Sequence, residues 1–353
     1  MQFSYIVNAA LSNETDRPLM QKEVYPVNTA LQAYLQQYKR DILVPVAYTD
    51  LFHYRYTNAI RDIDGRHTHW ENVVYDASLL STLQQQLTDT YCLLMQLDNH
   101  SFTITAIDFC EYANSMPFRI TLDNSLTGQI HYYYIKAADS SRIFGLELEH
   151  LLTANTTHYL YHNNTLIEQH IDGIPGDEFT KEINQLSTEE KSQLAEAFLR
   201  FNERSFARLL GDMRSYNFVT IKTGIAQKPY QIRAIDFDQQ CYEGRLNLYL
   251  PQFYKENIEY LQLVTATFTS QQIEQIRLQE RVELELFAQD NRVKLNHLLQ
   301  AMVAEEISDN YKVLTLRNEL NQYFKTNHFS DCTTMGAIVI QQLAQMIDYS
   351  VAE

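Results

Sequence analysis

No stretch of this 353-residue chain is apolar for long enough to cross a bilayer as a helix. The opening MQFSYIVNAALSNETDRP has neither the basic start nor the long apolar stretch of a secretory signal, so the expected location is cytoplasmic. Cysteine is scarce. Cys92, Cys110, Cys241 and Cys332 are widely scattered, with no pair at metal-ligand or redox spacing, and read as buried or idle thiols in a reducing compartment. Positive charge is short as well: 28 Lys and Arg stand against 44 Asp and Glu, for a formal net charge of −16. Such a surface repels nucleic acid and anionic membranes, and the cations are dispersed rather than gathered into a patch.

What is present is an ordinary globular composition, 45% hydrophobic and 20% charged, without a disorder signature. Up to about residue 98, short apolar runs such as DILVPVAY and WENVVYD precede a helical pattern in ASLLSTLQQQL, which predicts an N-terminal α+β extension. A β-rich zone follows over 99–172. SFTITAID, PFRITLDN and QIHYYYIKA are rich in β-branched and aromatic residues, and NSLTG between the last two suits a hairpin turn. RIFGLELEHLL then predicts a short helix and TLIEQHI a further strand. From 173 to 353 the chain changes character. LSTEEKSQLAEAFLRFNERSFARLL opens with a capping-box pair, Ser187 and Glu190, and carries Leu194, Phe198, Phe201 and Leu209 at helical spacing. Two short strands, NFVTIK and YQIRAIDF, are joined by a turn containing Gly224, and after residue 270 the pattern is almost wholly helical. The order is that of an α+β protein with a β-rich lobe followed by a mainly helical lobe.

The chemistry-bearing segment is LLGDMRSYNFVTIK followed by IRAIDFD. Phosphoryl transfer needs an Asp to orient the attacking hydroxyl, an Asn to hold a metal, and a second Asp to bridge metal and phosphates. Asp212 and Asn217 have the D-x-x-x-x-N spacing, and Asp236 ends an apolar strand in the context IDF. Carboxylate and amide oxygens are hard donors suited to Mg²⁺. GDMRSYN with IDFD resembles the catalytic and metal-binding loops of the protein-kinase-like superfamily. The likeness is closest to its small-molecule branch of aminoglycoside phosphotransferases, choline kinases and fructosamine kinases.

That resemblance implies a bilobal kinase-like fold that binds ATP and Mg²⁺. Asp212 takes the catalytic position, Asn217 and Asp236 the metal positions, and Arg214 the place of a residue that contacts the transferred phosphate. Lys136 matches the strand lysine that holds the α- and β-phosphates, and Glu147 the helix glutamate that pairs with it, with Glu149 the weaker alternative. Glu168, Gln169 and His170 match the hinge that holds adenine. Asn114 and Ser115 are the small polar residues of the expected phosphate-covering loop. The implied partners are a nucleotide and a hydroxyl acceptor, a small molecule or a protein of unspecified identity.

Several features depart from the family pattern. Leu210 replaces the His of the HGD motif, DFCEYANSM contains no glycine, and no APE-type activation segment follows. These departures define the rival reading, a pseudokinase acting as an interaction module; a structural or carbohydrate-binding protein is the third. AIDF also occurs at 106–109, where it is read as a strand end. His67 and His69 lie on one face of a predicted strand, with Asp64 and His53 as possible companions, but a surface strand is the expected outcome. Asp238 reads as a turn residue in preference to a second acidic neighbour of the metal, and Tyr132 to Tyr134 read as packing residues.

Overall fold

The computed structural model describes residues 22–98, 101–225 and 229–350. They form a mixed α+β protein that divides into two compact units. The first comprises residues 22–140 and 157–170, the second residues 141–156 and 171–350.

The first unit is built on a seven-stranded antiparallel sheet, in the order β1-β2-β3-β4-β5-β7-β6. Its strands are β1 (Tyr56–Arg61), β2 (His67–Val74), β3 (Phe102–Phe109), β4 (Phe118–Asn124), β5 (Ile130–Ala137), β6 (Tyr159–His162) and β7 (Thr165–Gln169). Alternation explains the buried face: Phe118, Ile120 and Leu122 on β4, with Tyr133 and Ile135 on β5, are fully buried. The hairpin expected at NSLTG forms, pairing Asp123 with Ile130, and Gly128 takes the left-handed backbone (φ 67°) that the turn requires. Before the sheet lies α1 (Thr29–Gln37), and α2 (Ala77–Met95) covers it. Leu83, Leu87, Tyr91 and Leu94 recur along one face of α2 and enter the core, and the buried Tyr133 hydroxyl donates to the Leu87 carbonyl at 2.8 Å. Residue 98, where a separate extension was expected to end, lies inside this unit. β2 pairs with β3 through Glu71–Phe109 and Asn72–Asp108, so the segments on either side share one sheet and one core.

The second unit holds a three-stranded sheet, β10-β9-β8, made of β8 (Ile174–Pro175), β9 (Phe218–Lys222) and β10 (Tyr230–Ala234). Around it stand α3 (Ser140–Leu152, all but its first residue), α4 (Gly176–Ile183) and α5 (Thr188–Ala207). They are followed by α6 (Ile258–Thr267), α7 (Ser270–Asp290), α8 (Arg292–Ala304), α9 (Asn310–Phe324) and α10 (Met335–Ile347). The capping box at the start of α5 is present in both directions, Ser187 accepting from Glu190 N and Glu190 from Ser187 N. Leu194, Phe198 and Phe201 are buried as their spacing requires, with Phe198 stacked on Tyr260 at 4.9 Å. The helix ends at Ala207, short of the expected Leu209. Leu209 turns left-handed (φ 57°), and Leu210 bridges to Gln240, which redirects the chain into the loop that follows.

Among the described residues, no helix is long and apolar enough to cross a membrane.

Candidate functional site in the second unit

The loop after α5 is held by backbone hydrogen bonds, within itself and to neighbouring segments, and by a few side chains. Gly211 N donates to Gln239 O at 3.2 Å and Asp212 N to Leu248 O at 3.0 Å. Asp212 is left-handed (φ 55°), a conformation that Asp and Asn tolerate better than most side chains. Arg214 N then donates to Asp212 O, and Asn217 N to Arg214 O. Asn217 closes a short 3₁₀ turn, Ser215–Asn217, and its side-chain Nδ2 donates back to Asp212 O at 2.8 Å. The D-x-x-x-x-N spacing is therefore the span over which this loop folds back on itself. Asn217 O accepts from Ile235 N at 3.0 Å, which ties the loop to the residue before Asp236.

The Asp212 carboxyl is pushed up to about 7, first by burial, with the negative charges of Asp236, Glu256 and Glu243 adding to it. Arg214 opposes that shift, its Nε lying 3.0 Å from Asp212 Oδ1. The guanidinium also donates to the Tyr216 hydroxyl at 2.6 Å and lies over the Tyr254 ring at 5.1 Å. Burial disfavours its charge, but Asp212 and Tyr216 outweigh burial and hold it above the ordinary arginine value. Asn257 Nδ2 fixes the same loop from below, donating to Met213 O and Pro251 O at 3.0 and 3.1 Å.

Asp236 follows β10 and receives a hydrogen bond at Oδ1 from Asp238 N. Its carboxylate is also the partner of Arg142, a residue that no motif marks out. Arg142 Nη1 lies 2.8 Å from Asp236 Oδ1 and 2.9 Å from Asp238 Oδ1, and Nη2 donates to Ile235 O at 3.3 Å. Asp238 lies in a turn, as expected, and is also buried and ion-paired. The reason lies one turn along α3: a Cβ on Gly145 would come within 2.9 Å of Phe237 Cβ. Helix α3 therefore approaches the Asp236–Asp238 segment as closely as only glycine permits, bringing Arg142, on the same helix face, onto both carboxylates.

Asn217 and Asp236 supply an amide and a carboxylate oxygen. Mg²⁺ takes such a sparse set of hard donors and completes its shell with water and phosphate. The chemistry of the two residues fits that ion, although Arg142 already engages one oxygen of Asp236. Among the described residues, no group of three or more His, Cys, Asp or Glu could hold a metal, His67 and His69 included.

Glu147 is buried on α3 in the second unit. Glu149, the alternative to it, is committed to the buried Arg208, and Asn155 Nδ2 donates to it at 2.6 Å. Burial opposes its charge, but Arg208 and Arg204 hold its carboxyl below the ordinary range.

Lys136 lies on β5 of the first unit, where its buried Nζ pairs with Glu168 of the adjacent β7 at 3.1 Å. Gln169, next in β7, accepts from His158 N through Oε1, and His170 Nδ1 shares a hydrogen bond with the Tyr134 hydroxyl at 3.0 Å. Asn114 and Ser115 form the turn between β3 and β4, the first exposed and the second half-buried.

No family model matches this chain, and no curated protein sequence matches it.

Proposed function

We propose that this chain is an ATP- and Mg²⁺-dependent phosphotransferase of the protein-kinase-like superfamily, which passes the γ-phosphate to a hydroxyl acceptor. The observation that supports this reading most is the Asp212 carboxyl, raised to about 7 within a loop fixed by Asn217 and bordered by Asp236. A base whose affinity for protons lies near the working pH both accepts a hydroxyl proton and gives it up again.

In this reading Asp212 orients the acceptor hydroxyl and takes its proton at a carboxylate oxygen. Asn217 and Asp236 would hold the magnesium ion, which when bound neutralises charge on the phosphates. Arg214 offsets charge on the transferred group, and Lys136 engages the α- and β-phosphates. The Asn114–Ser115 turn covers the phosphates, and of the expected hinge Glu168–His170 it is the backbone of His170, just past β7, that holds adenine, because Glu168 and Gln169 are paired in the sheet. Catalysis is then positioning and charge stabilisation, with no covalent intermediate.

The test is ATP turnover in the presence of Mg²⁺. Wild-type protein should consume ATP, and Asp212→Asn should lose that activity while still showing an ATP/Mg²⁺-dependent thermal shift. Equal turnover in the variant would remove Asp212 from the mechanism.

One observation favours the rival, a pseudokinase serving as an interaction module. Arg142 places a fixed positive charge on Asp236, where a metal ion would otherwise be drawn. No thermal shift at millimolar ATP with Mg²⁺, in wild-type protein and in Arg142→Lys alike, would select that reading.

A further inference from the structure

Helix α7 (Ser270–Asp290) is apolar on two opposite sides. One side is accounted for: Ile273, Ile276, Leu284 and Ala288 are buried, together with Glu280, which Arg200 and Arg204 hold. The other side is not. Leu278, Val282 and Leu286 follow at four-residue intervals opposite the buried row, and are 51%, 55% and 56% exposed. Single exposed apolar residues are ordinary, but three in one stripe make a continuous patch. At a solvent-facing helix position valine is a poorer choice than Glu, Gln or Lys, because its branched Cβ restricts the side chain against the preceding turn. What Val282 offers there is packing.

The order of residues along the stripe says what packs on it. From one end it reads Gln275, Leu278, Val282, Leu286, Gln289, in steps of three, four, four and three. From the other end it reads the same. A helix that lies antiparallel on a copy of itself needs this symmetry, because a two-fold axis sets residues equally distant from it against each other. With the axis at Val282, valine meets valine, Leu278 meets Leu286 of the second copy, and Gln275 meets Gln289. Steps of three and four are those of a packed helix pair.

The charges agree with a second copy. In a chain of net charge −16 the seam holds no acid, and its ends are amides. Arg281 and Glu285 stand one turn apart on one edge of the stripe, so the two-fold brings each Glu285 within a turn of the second copy's Arg281. Glu285 is half-buried and accepts from Gln289 Nε2 at 2.9 Å, with no cation paired to it among the described residues. Arg281 holds Glu203 and is still partly exposed.

We infer that α7 is the contact through which two copies of this chain form an antiparallel, two-fold dimer. The seam from Gln275 to Gln289 is about 21 Å long at ~1.5 Å per residue, short of a standard interface, so the dimer is a weak one, with Kd of about 10–100 µM. The inference stands independently of the phosphotransferase reading, since it uses none of the same residues.

The test is sedimentation velocity on the full chain in about 0.15 M NaCl, which screens the repulsion between two anionic copies. Wild-type protein should pass from monomer to dimer as its concentration rises to about 500 µM. Val282→Glu and Val282→Lys each set like charges against each other at the axis, and each alone should stay monomeric. Both should melt with the wild-type chain, because position 282 faces solvent in the monomer. An equimolar mixture of the two should associate again, which only pairing of residue 282 with itself predicts. The inference is overturned by a wild-type chain that stays monomeric throughout, which would assign the stripe to a different partner. It is equally overturned by a folded Val282→Glu protein that dimerises like wild type, or by a mixture of the two variants that remains monomeric.

Discussion

Asp212 and Arg142 show how much one side chain can be made to carry. The Asp212 carboxyl stands at about 7 in the folded chain, against an ordinary 3.8. Its proton is held more tightly when folded, so its contribution to stability is complete below about pH 4 and is lost as pH rises through 7. Above that point the ionised, buried group is a cost, at most ~4 kcal/mol from the size of the shift. Asp212→Asn, which keeps the shape and tolerates the same backbone, should therefore raise the melting temperature most at pH 8, less at pH 5, and change it little below about pH 4. A variant that melts lower at pH 8 would contradict this balance. Arg142 presents the reverse case, since it is itself buried and neutralises two acids. Arg142→Ala removes the guanidinium that Asp236 and the buried Asp238 share, and urea denaturation should show a loss of about 3–5 kcal/mol. A loss below about 1 kcal/mol would mean that water reaches both carboxylates freely.

Helix α3 decides between two opposed effects at Gly145. Alanine is favoured over glycine inside a helix by roughly 1 kcal/mol. Here the added carbon would meet Phe237 Cβ at 2.9 Å, an atom next to the backbone that has little room to yield. Gly145→Ala should thus destabilise the protein despite its better helix propensity, and a raised melting temperature would show that α3 can step back.

Between α5 and α7, Glu280 accepts from Arg200 and Arg204 at 3.2 and 3.1 Å. Glu280→Ala, which leaves two guanidinium groups without their shared acid, should cost about 2–4 kcal/mol in a urea titration.

At this scale the sequence was readable where period and capping agreed. Ser187 with Glu190 marked the start of α5, NSLTG marked the β4–β5 hairpin, and alternation marked β3 to β5. The Asp212–Asn217 spacing likewise pointed to a real loop closure. What could not be read was pairing between distant segments. Nothing local in Arg142 distinguishes it from a surface arginine, and nothing in WENVVYD shows that β2 will extend the sheet through β3. Long-range partners are chosen by which surfaces meet, and that information is not periodic.

For the molecule as a whole, the net charge of −16 sets the response to salt. Self-repulsion of that size works against compactness and is screened within about 10 Å at 0.1 M salt. The internal ion pairs are mostly shielded from water, as at Glu203 and Glu280, both about 5% exposed or less, and are screened less. Moderate NaCl should therefore raise the melting temperature above its value in dilute buffer. A fall would mean that attractive surface pairs dominate over the general repulsion. The same excess of acid predicts no retention on a phosphate-bearing matrix at physiological ionic strength.

The backbone turn at position 212 has a consequence for what mutation can do there. Most replacements would strain the loop and be eliminated as misfolded protein, but asparagine fits the same twist and differs from aspartate by one atom and one charge. On the phosphotransferase reading proposed above, the shortest route from a working copy to a mute one thus leaves the architecture untouched. A descendant that had gone quiet in this way would keep its outline and advertise its loss only by a missing negative charge.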